Sequence, residues 1–128
     1  IFSVAVNSDK SPLFTVEERI EMIEFSTKDL GNVRACMTDK LVADFARETN
    51  AVALIRGLRH VSDFEFEFQM AMMNCHLNPE ISTILMMPAE QYIHLNSTVV
   101  KEVAKLGGDI TTYVPDCVLD CLKVKFKL

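Results

Sequence analysis

Four short apolar runs alternate with helix-periodic segments, and the third run ends in a turn rich in cations. Together these predict a three-layer α/β sandwich built on a parallel sheet. The runs occupy residues 1–6, 33–37, 51–55 and 82–87. Three of them are almost continuously apolar, the pattern of strands covered on both faces. Strands separated by helices are joined by right-handed crossovers, which makes them parallel. No repeat, low-complexity tract or Pro/Gly-rich linker interrupts the 128 residues, so they read as one domain.

The first helix is announced by Thr15 with Glu18 three residues on, a capping box, followed by Ile20 and Ile23 and closing before Gly31. The second covers about residues 40–49, with Leu41, Phe45 and Ala46 on one face. The third is expected to start at Ser62, with Glu65 completing a second capping box, and to run to Leu77 ahead of Pro79. It carries Phe64, Phe66, Phe68, Met70, Met72 and Met73 around much of its circumference. Such a helix serves as core or subunit interface, or as an adaptable binding wall. Glu67 and Asn74, seven residues apart, fall on nearly the same face of it. If buried they need partners, which a ligand could supply. A fourth helix opens at Asn96-Ser97-Thr98 and ends at Gly107-Gly108, and a fifth follows Pro115.

Composition narrows the function. Thirteen basic against eighteen acidic residues give a net charge of −5, and the pI is about 5.1. That balance excludes nonspecific nucleic-acid binding, which needs a basic face. Any phosphate site is therefore a local cluster. Hydrophobic residues make up 49% and the mean hydropathy is +0.17, as in a packed globular chain. No apolar run is long enough to span a bilayer. Cys36, Cys75, Cys117 and Cys121 include no CxxC pair and have no paired histidines to complete a zinc site, so they read as reduced thiols of a cytoplasmic protein. The chain opens already inside an apolar strand, IFSVAV, from which a preceding segment is expected.

In α/β sheets ligands gather at the carboxyl ends of strands, and that is where the candidate residues stand. Lys10, in NSDKSPLFTVEER, leaves the first strand; it can reach an anion over the sheet edge or be a solvated loop lysine. After the third strand comes IRGLR. Arg56 follows the apolar Ile55, Gly57 permits close backbone approach or a positive φ, and Arg59 precedes the next helix. Guanidinium groups suit phosphate oxygens, but both can equally pair with Asp63, Glu65 or Glu67. After the fourth strand, Asn96, Ser97 and Thr98 bring an amide, two hydroxyls and free helix N–H groups together, either an anion cradle or simply a cap. His60, His76 and His94, each alone, read as loop or packing residues.

In this order the blocks PLFTVEER, LVADFAR, LIRGLRHVSDFEFE, MNCHLNPEI and NSTVVKEVAKLGGDI resemble bacterial phosphopantetheine adenylyltransferases, nucleotidyltransferases with an HxGH motif, along essentially the whole chain. The resemblance implies a Rossmann-like fold and a reaction: ATP and 4′-phosphopantetheine give dephospho-CoA and pyrophosphate, with Mg²⁺, by direct attack on the α-phosphorus. It implies that Lys10 and Arg56 hold the attacking phosphate and that Val42 touches the pantetheine arm. Gly57, Leu58, Arg59 and Glu67 would bind ATP. So would the loop Tyr92, Ile93, His94, Leu95, Asn96, Ser97 and Thr98. Asn74 and Glu102 resemble positions near the pantetheine site. Asn96 stands where the family usually has serine, and an amide can still donate. The resemblance also implies a homohexamer, coenzyme A as feedback inhibitor, and a further βα unit of about 30 residues that carries the motif histidine. Without that unit the chain is expected to bind parts of both substrates without turnover. Competing readings are an HxGH enzyme that makes NAD or a CDP-alcohol, and a nonenzymatic nucleotide-binding or assembly module.

Overall fold

The computed structural model describes residues 1–6 and 11–128. The chain divides into two compact units, one of residues 1–39 and 95–128, the other of residues 40–94. Lys10 lies outside the described residues.

In the first unit β1 (Phe2–Ala5) pairs in parallel with β2 (Ala35–Thr38), Phe2 opposite Ala35 and Ala5 opposite Thr38. The crossover is α1 (Val16–Ser26), and its capping box forms as the sequence predicts. The Thr15 hydroxyl accepts from the Glu18 N–H at 3.2 Å, and the Glu18 carboxylate accepts from the Thr15 N–H at 2.8 Å. Two further helices complete the unit, α4 (Ser97–Lys105) and α5 (Asp116–Phe126). Ala104, Ile110 and Leu122 form the core there, packed by Leu13, Phe14, Val100, Val118 and Leu119. The turn between α4 and Ile110 explains the paired glycines. Gly107 takes φ +76, the Gly107 N–H reaches the Ala104 carbonyl and the Gly108 N–H that of Val103, both at 2.9 Å, a Schellman closure. A Cβ on Gly108 would sit 2.5 Å from Val103 Cγ1.

In the second unit β3 (Ala53–Gly57) pairs in parallel with β4 (Ser82–Met86), Arg56 opposite Leu85. Before them comes α2 (Val42–Glu48), and between them α3 (Val61–Leu77). Helix α2 closes on Asn50 at φ 52, with the Ala51 N–H bonded to the Ala46 carbonyl at 2.8 Å. A 3₁₀ turn, Glu90–Tyr92, follows β4.

The α/β class and the parallel strands match the sequence reading. Three local expectations are corrected. The strands are not covered on both faces: Phe2, Met37, Ile55, Ile84 and Met86 are all exposed, Ile55 by 68%. Continuous apolar character reports what a strand could bury; on β3 and β4 the face of Ile55, Ile84 and Met86 stays open. Helix α3 begins a residue early, after His60, with no side-chain cap; the Ser62–Glu65 capping box does not form because Ser62 already lies within the helix. And the apolar side chains of α3 are not core of this chain, since all six Phe and Met residues named above are exposed.

Candidate active site

The period of two along β3 sets the site. Leu54 and Arg56 project to one face and Ile55 and Gly57 to the other. Glu67 and Asn74, two turns apart on α3, are both buried. Arg56 meets Glu67 with two parallel hydrogen bonds. Its Nε donates to Oε2 at 2.8 Å and its Nη2 to Oε1 at 2.7 Å. The Arg56 side chain stays 51% exposed while that of Glu67 is 11% exposed, so the pair has a wet end and a dry end.

The charges follow from this. Hydrogen bonding to Arg56 holds the Glu67 carboxyl below the usual carboxylate range, against the opposing pull of burial and of nearby Asp63. The same bonds raise the Arg56 guanidinium, so both partners are ionised across the physiological range. Arg59 is also engaged, its Nε lying 3.5 Å from Asp63 Oδ2 in the first turn of α3. Of the two readings open for these arginines, pairing with α3 is therefore realised for both.

Gly57 is not among the positive-φ glycines, and a Cβ there would meet open space. The protein's own backbone thus makes no demand for glycine at this strand end. Leu58 continues the strand pairing through its N–H to the Met86 carbonyl at 2.9 Å. Val42 opens α2 and is partly exposed. Tyr92 ends the 3₁₀ turn, exposed, with Ile93 half-buried and His94 exposed after it.

The remaining candidates belong to the first unit. Leu95 leads to Asn96, which caps α4 by accepting from the Thr98 N–H at 2.8 Å. That bond occupies one of the helix-start donors, while the Ser97 and Thr98 side chains lie exposed. Glu102 is exposed on α4. A cavity of about 370 Å³ in this unit is lined by Phe2, Phe14, Met22, Ile23 and Pro115 among others, and no candidate among the described residues lines it.

Reading the sequence missed Asn78. It is buried at the end of α3, where its Nδ2 donates to the Ala43 carbonyl and its Oδ1 accepts from the Glu80 N–H, both at 3.3 Å. The signal was the Asn-Pro pair at the helix end. Among the described residues no group of three His, Cys, Asp or Glu could hold a metal ion. The four cysteines are free, Cys117 Sγ lying 3.2 Å from the Ser26 hydroxyl. No helix in the described residues is long and apolar enough to cross a membrane.

Arg56 stands where a parallel strand ends and a helix begins just beyond it, the place where α/β folds gather anionic ligands. The sequence model of the cytidylyltransferase-like family matches residues 1–103. Three curated proteins called phosphopantetheine adenylyltransferase are similar over nearly the whole chain. That of Caldanaerobacter subterraneus subsp. tengcongensis is 47% identical over 127 residues, covering 99% of this chain and 79% of the relative. The Heliobacterium modesticaldum protein is 47% identical over 126 residues, 98% of this chain and 75% of the relative. The Methylacidiphilum infernorum protein is 46% identical over 127 residues, 98% and 73%. The chain belongs to the cytidylyltransferase-like nucleotidyltransferases and, within them, to the phosphopantetheine adenylyltransferase family.

Proposed function

We propose that the 128 residues serve as one nucleotidyltransferase domain that transfers the adenylyl group of ATP to 4′-phosphopantetheine, in the cytoplasmic synthesis of coenzyme A. The observation that carries the reading is the 47% identity over 127 residues to a protein of that name. The placement of Arg56 at the carboxyl end of β3 supports it from the geometry.

An oxygen of the acceptor phosphate attacks the α-phosphorus of ATP, the new P–O bond forms, and the bond to pyrophosphate breaks. Such chemistry is positioning and charge stabilisation. Arg56, with Lys10, would hold the attacking phosphate, and Arg59 the nucleotide, exchanging Asp63 for phosphate oxygens. Gly57 and Leu58 would let the nucleotide lie against the backbone. The 92–98 loop would take the adenine, with the Ser97 and Thr98 hydroxyls near the phosphates. Val42, Asn74 and Glu102 would face the pantetheine arm. The Asn74 amide is buried and can donate and accept there. Mg²⁺ would arrive on the triphosphate: the described residues form no ligand cluster for it, and that ion keeps its waters and is carried by phosphates.

The exposed phenylalanines and methionines of α3 support a homo-oligomer, a hexamer by family resemblance, with this helix at a subunit contact. Coenzyme A, which shares the pantetheine arm, would compete at the same place as a feedback inhibitor.

The test is binding and turnover with a choice of acceptors. The protein should bind 4′-phosphopantetheine in preference to nicotinamide mononucleotide and release pyrophosphate with dephospho-CoA. Preference for the mononucleotide would make it an NAD-forming relative. ATP binding without transfer to any acceptor would make it a nonenzymatic nucleotide-binding module.

A further inference from the structure

Helix α2 has only seven residues, and its buried side chains are two methyl groups, those of Ala43 and Ala46. So short a helix with so little apolar area needs other ties to keep its place. Its N-cap, Leu41, makes no side-chain bond to the first turn. The ties come from across the unit, at the end of α3. Arg47, in the last turn of α2, donates from Nη2 to the Leu77 carbonyl at 2.8 Å. Asn78 secures the first turn, its Nδ2 donating to the Ala43 carbonyl at 3.3 Å. Asn78 is 4% exposed, so water does not compete for that bond. Its main-chain N–H donates to the Asn74 carbonyl at 2.8 Å and closes the turn of α3 that carries Asn74. One buried residue thus joins the neighbour of Val42 to the turn that bears Asn74.

We infer that Asn78 is a positioning residue for the acceptor: it pins the first turn of α2 to the end of α3 and so sets where Val42 stands relative to Asn74. The inference rests on the proposed adenylyl transfer, in which those two residues face the pantetheine arm. It adds a residue that touches neither substrate. Without the Ala43 bond, the first turn of α2 has neither a cap nor a polar tie, and helix ends so released fray. Arg56 and Gly57 stand on β3, away from this tie, so the nucleotide side of the site does not depend on it.

The experiment measures binding of 4′-phosphopantetheine and of ATP separately, by calorimetry, for the native protein, Asn78→Leu, Asn78→Asp and Leu122→Ala. Asn78→Leu fills the space without either polar atom. Asn78→Asp keeps the acceptor toward the Glu80 N–H and loses the donor toward Ala43. Both should raise the Kd for 4′-phosphopantetheine about tenfold, the scale of one hydrogen bond lost or loosened along the arm. The Kd for ATP should stay within about twofold. Leu122→Ala, which weakens the other unit, should lower the urea midpoint and leave both Kd values in place. The same pattern in the Asn78 variants would make Asn78 merely structural and overturn the inference. So would a Kd for ATP that rises in step, or an Asn78→Asp that binds the acceptor like the native protein. The isosteric Asn78→Asp keeps the test open if Asn78→Leu fails to fold. If the native protein binds no 4′-phosphopantetheine, the proposed reaction fails, and the tie is still decided by the Phe45 N–H, which bonds the Leu41 carbonyl at 3.0 Å. That proton should exchange slowly in the native protein and faster in Asn78→Leu, and equal exchange in both would refute the tie.

Discussion

Within the unit of residues 1–39 and 95–128, the side chains withdrawn from water are mainly apolar: Val4, Ala104, Ile110 and Leu122, each at most 3% exposed. The unit of residues 40–94 does the reverse along its longest helix. Helix α3 turns Glu67 and Asn74 inward and leaves Phe64, Phe66, Phe68, Met70, Met72 and Met73 outside, with Phe64 and Phe68 stacked 5.8 Å apart on the open side. Burying polar groups costs stability unless each finds a partner. Glu67 has Arg56, and Asn78 has Ala43 and Glu80. One unit is arranged as a core. The other is arranged around charge at a strand end, with its apolar side free to meet a partner. Such local conflict between burial and residue type is expected where function, not stability, sets the choice.

The strongest way to break the contrast is to damage each unit at its own centre. Leu122→Ala should lower stability by about 2–5 kcal/mol, because a buried methyl pair leaves a cavity among Ala104 and Ile110. Its urea midpoint should fall while the KM values of the surviving folded fraction hold. Arg56→Ala should show the opposite profile. Removing the fork should cost about 2–4 kcal/mol of transition-state stabilisation. The loss of stability should be smaller, since water can enter beside Glu67 once the half-exposed arginine is gone. Arg56→Lys should recover little, as an ammonium cannot present two parallel edges. Equal urea midpoints for Leu122→Ala and Arg56→Ala would erase the distinction.

The outward face of α3 sharpens it next. Phe66, 60% exposed, should tolerate Asp within about 0.5 kcal/mol in a protomer standing alone. In a homo-oligomer with this helix at the contact, the same change should shift sedimentation toward the protomer. Phe66→Asp that sediments like the native protein would remove α3 from the interface.

Much of this was legible in the sequence because it rests on local rules. The Thr15 capping box, the Asn96 cap, the glycine pair after α4 and the strand–helix alternation each follow from a few adjacent residues. What could not be read depends on packing. Helix α3 starts at Val61, after His60, with no side-chain cap, so the hydroxyl that looked like its cap lies inside it. The Arg56–Glu67 pair joins residues eleven apart, and Asp63, Glu65 and Glu67 were equally available on paper. Strands β3 and β4, open on one face, had the composition of covered ones. Hydropathy records tolerance for burial and cannot name the neighbour. The positions of the site residues came from the family resemblance, and the pairing of Glu67 with Arg56 came only with the fold.

The smallest effect separates two carboxylates held below their ordinary range, one in each unit. Glu18 is lowered first by Lys125, whose Nζ lies 2.8 Å from Oε1, then by the Thr15 N–H. Glu67 is lowered first by Arg56. A depressed folded-state pKa contributes stability that is present above the unfolded value, 4.5, and is lost as pH falls through the lowered folded value. Thr15→Ala removes the hydroxyl that accepts from the Glu18 N–H and should lower stability by about 1 kcal/mol. It leaves both causes of the Glu18 shift in place, since the Thr15 N–H belongs to the main chain. The loss should therefore be the same at pH 7 and at pH 5, two values above 4.5. Lys125→Ala should instead flatten the acid limb of the stability curve and leave the Arg56–Glu67 limb untouched. Urea midpoints measured from pH 7 to pH 3 on the two variants decide it. A Thr15→Ala curve that loses its acid limb would mean that the hydroxyl, not the main-chain N–H and Lys125, sets the Glu18 carboxyl.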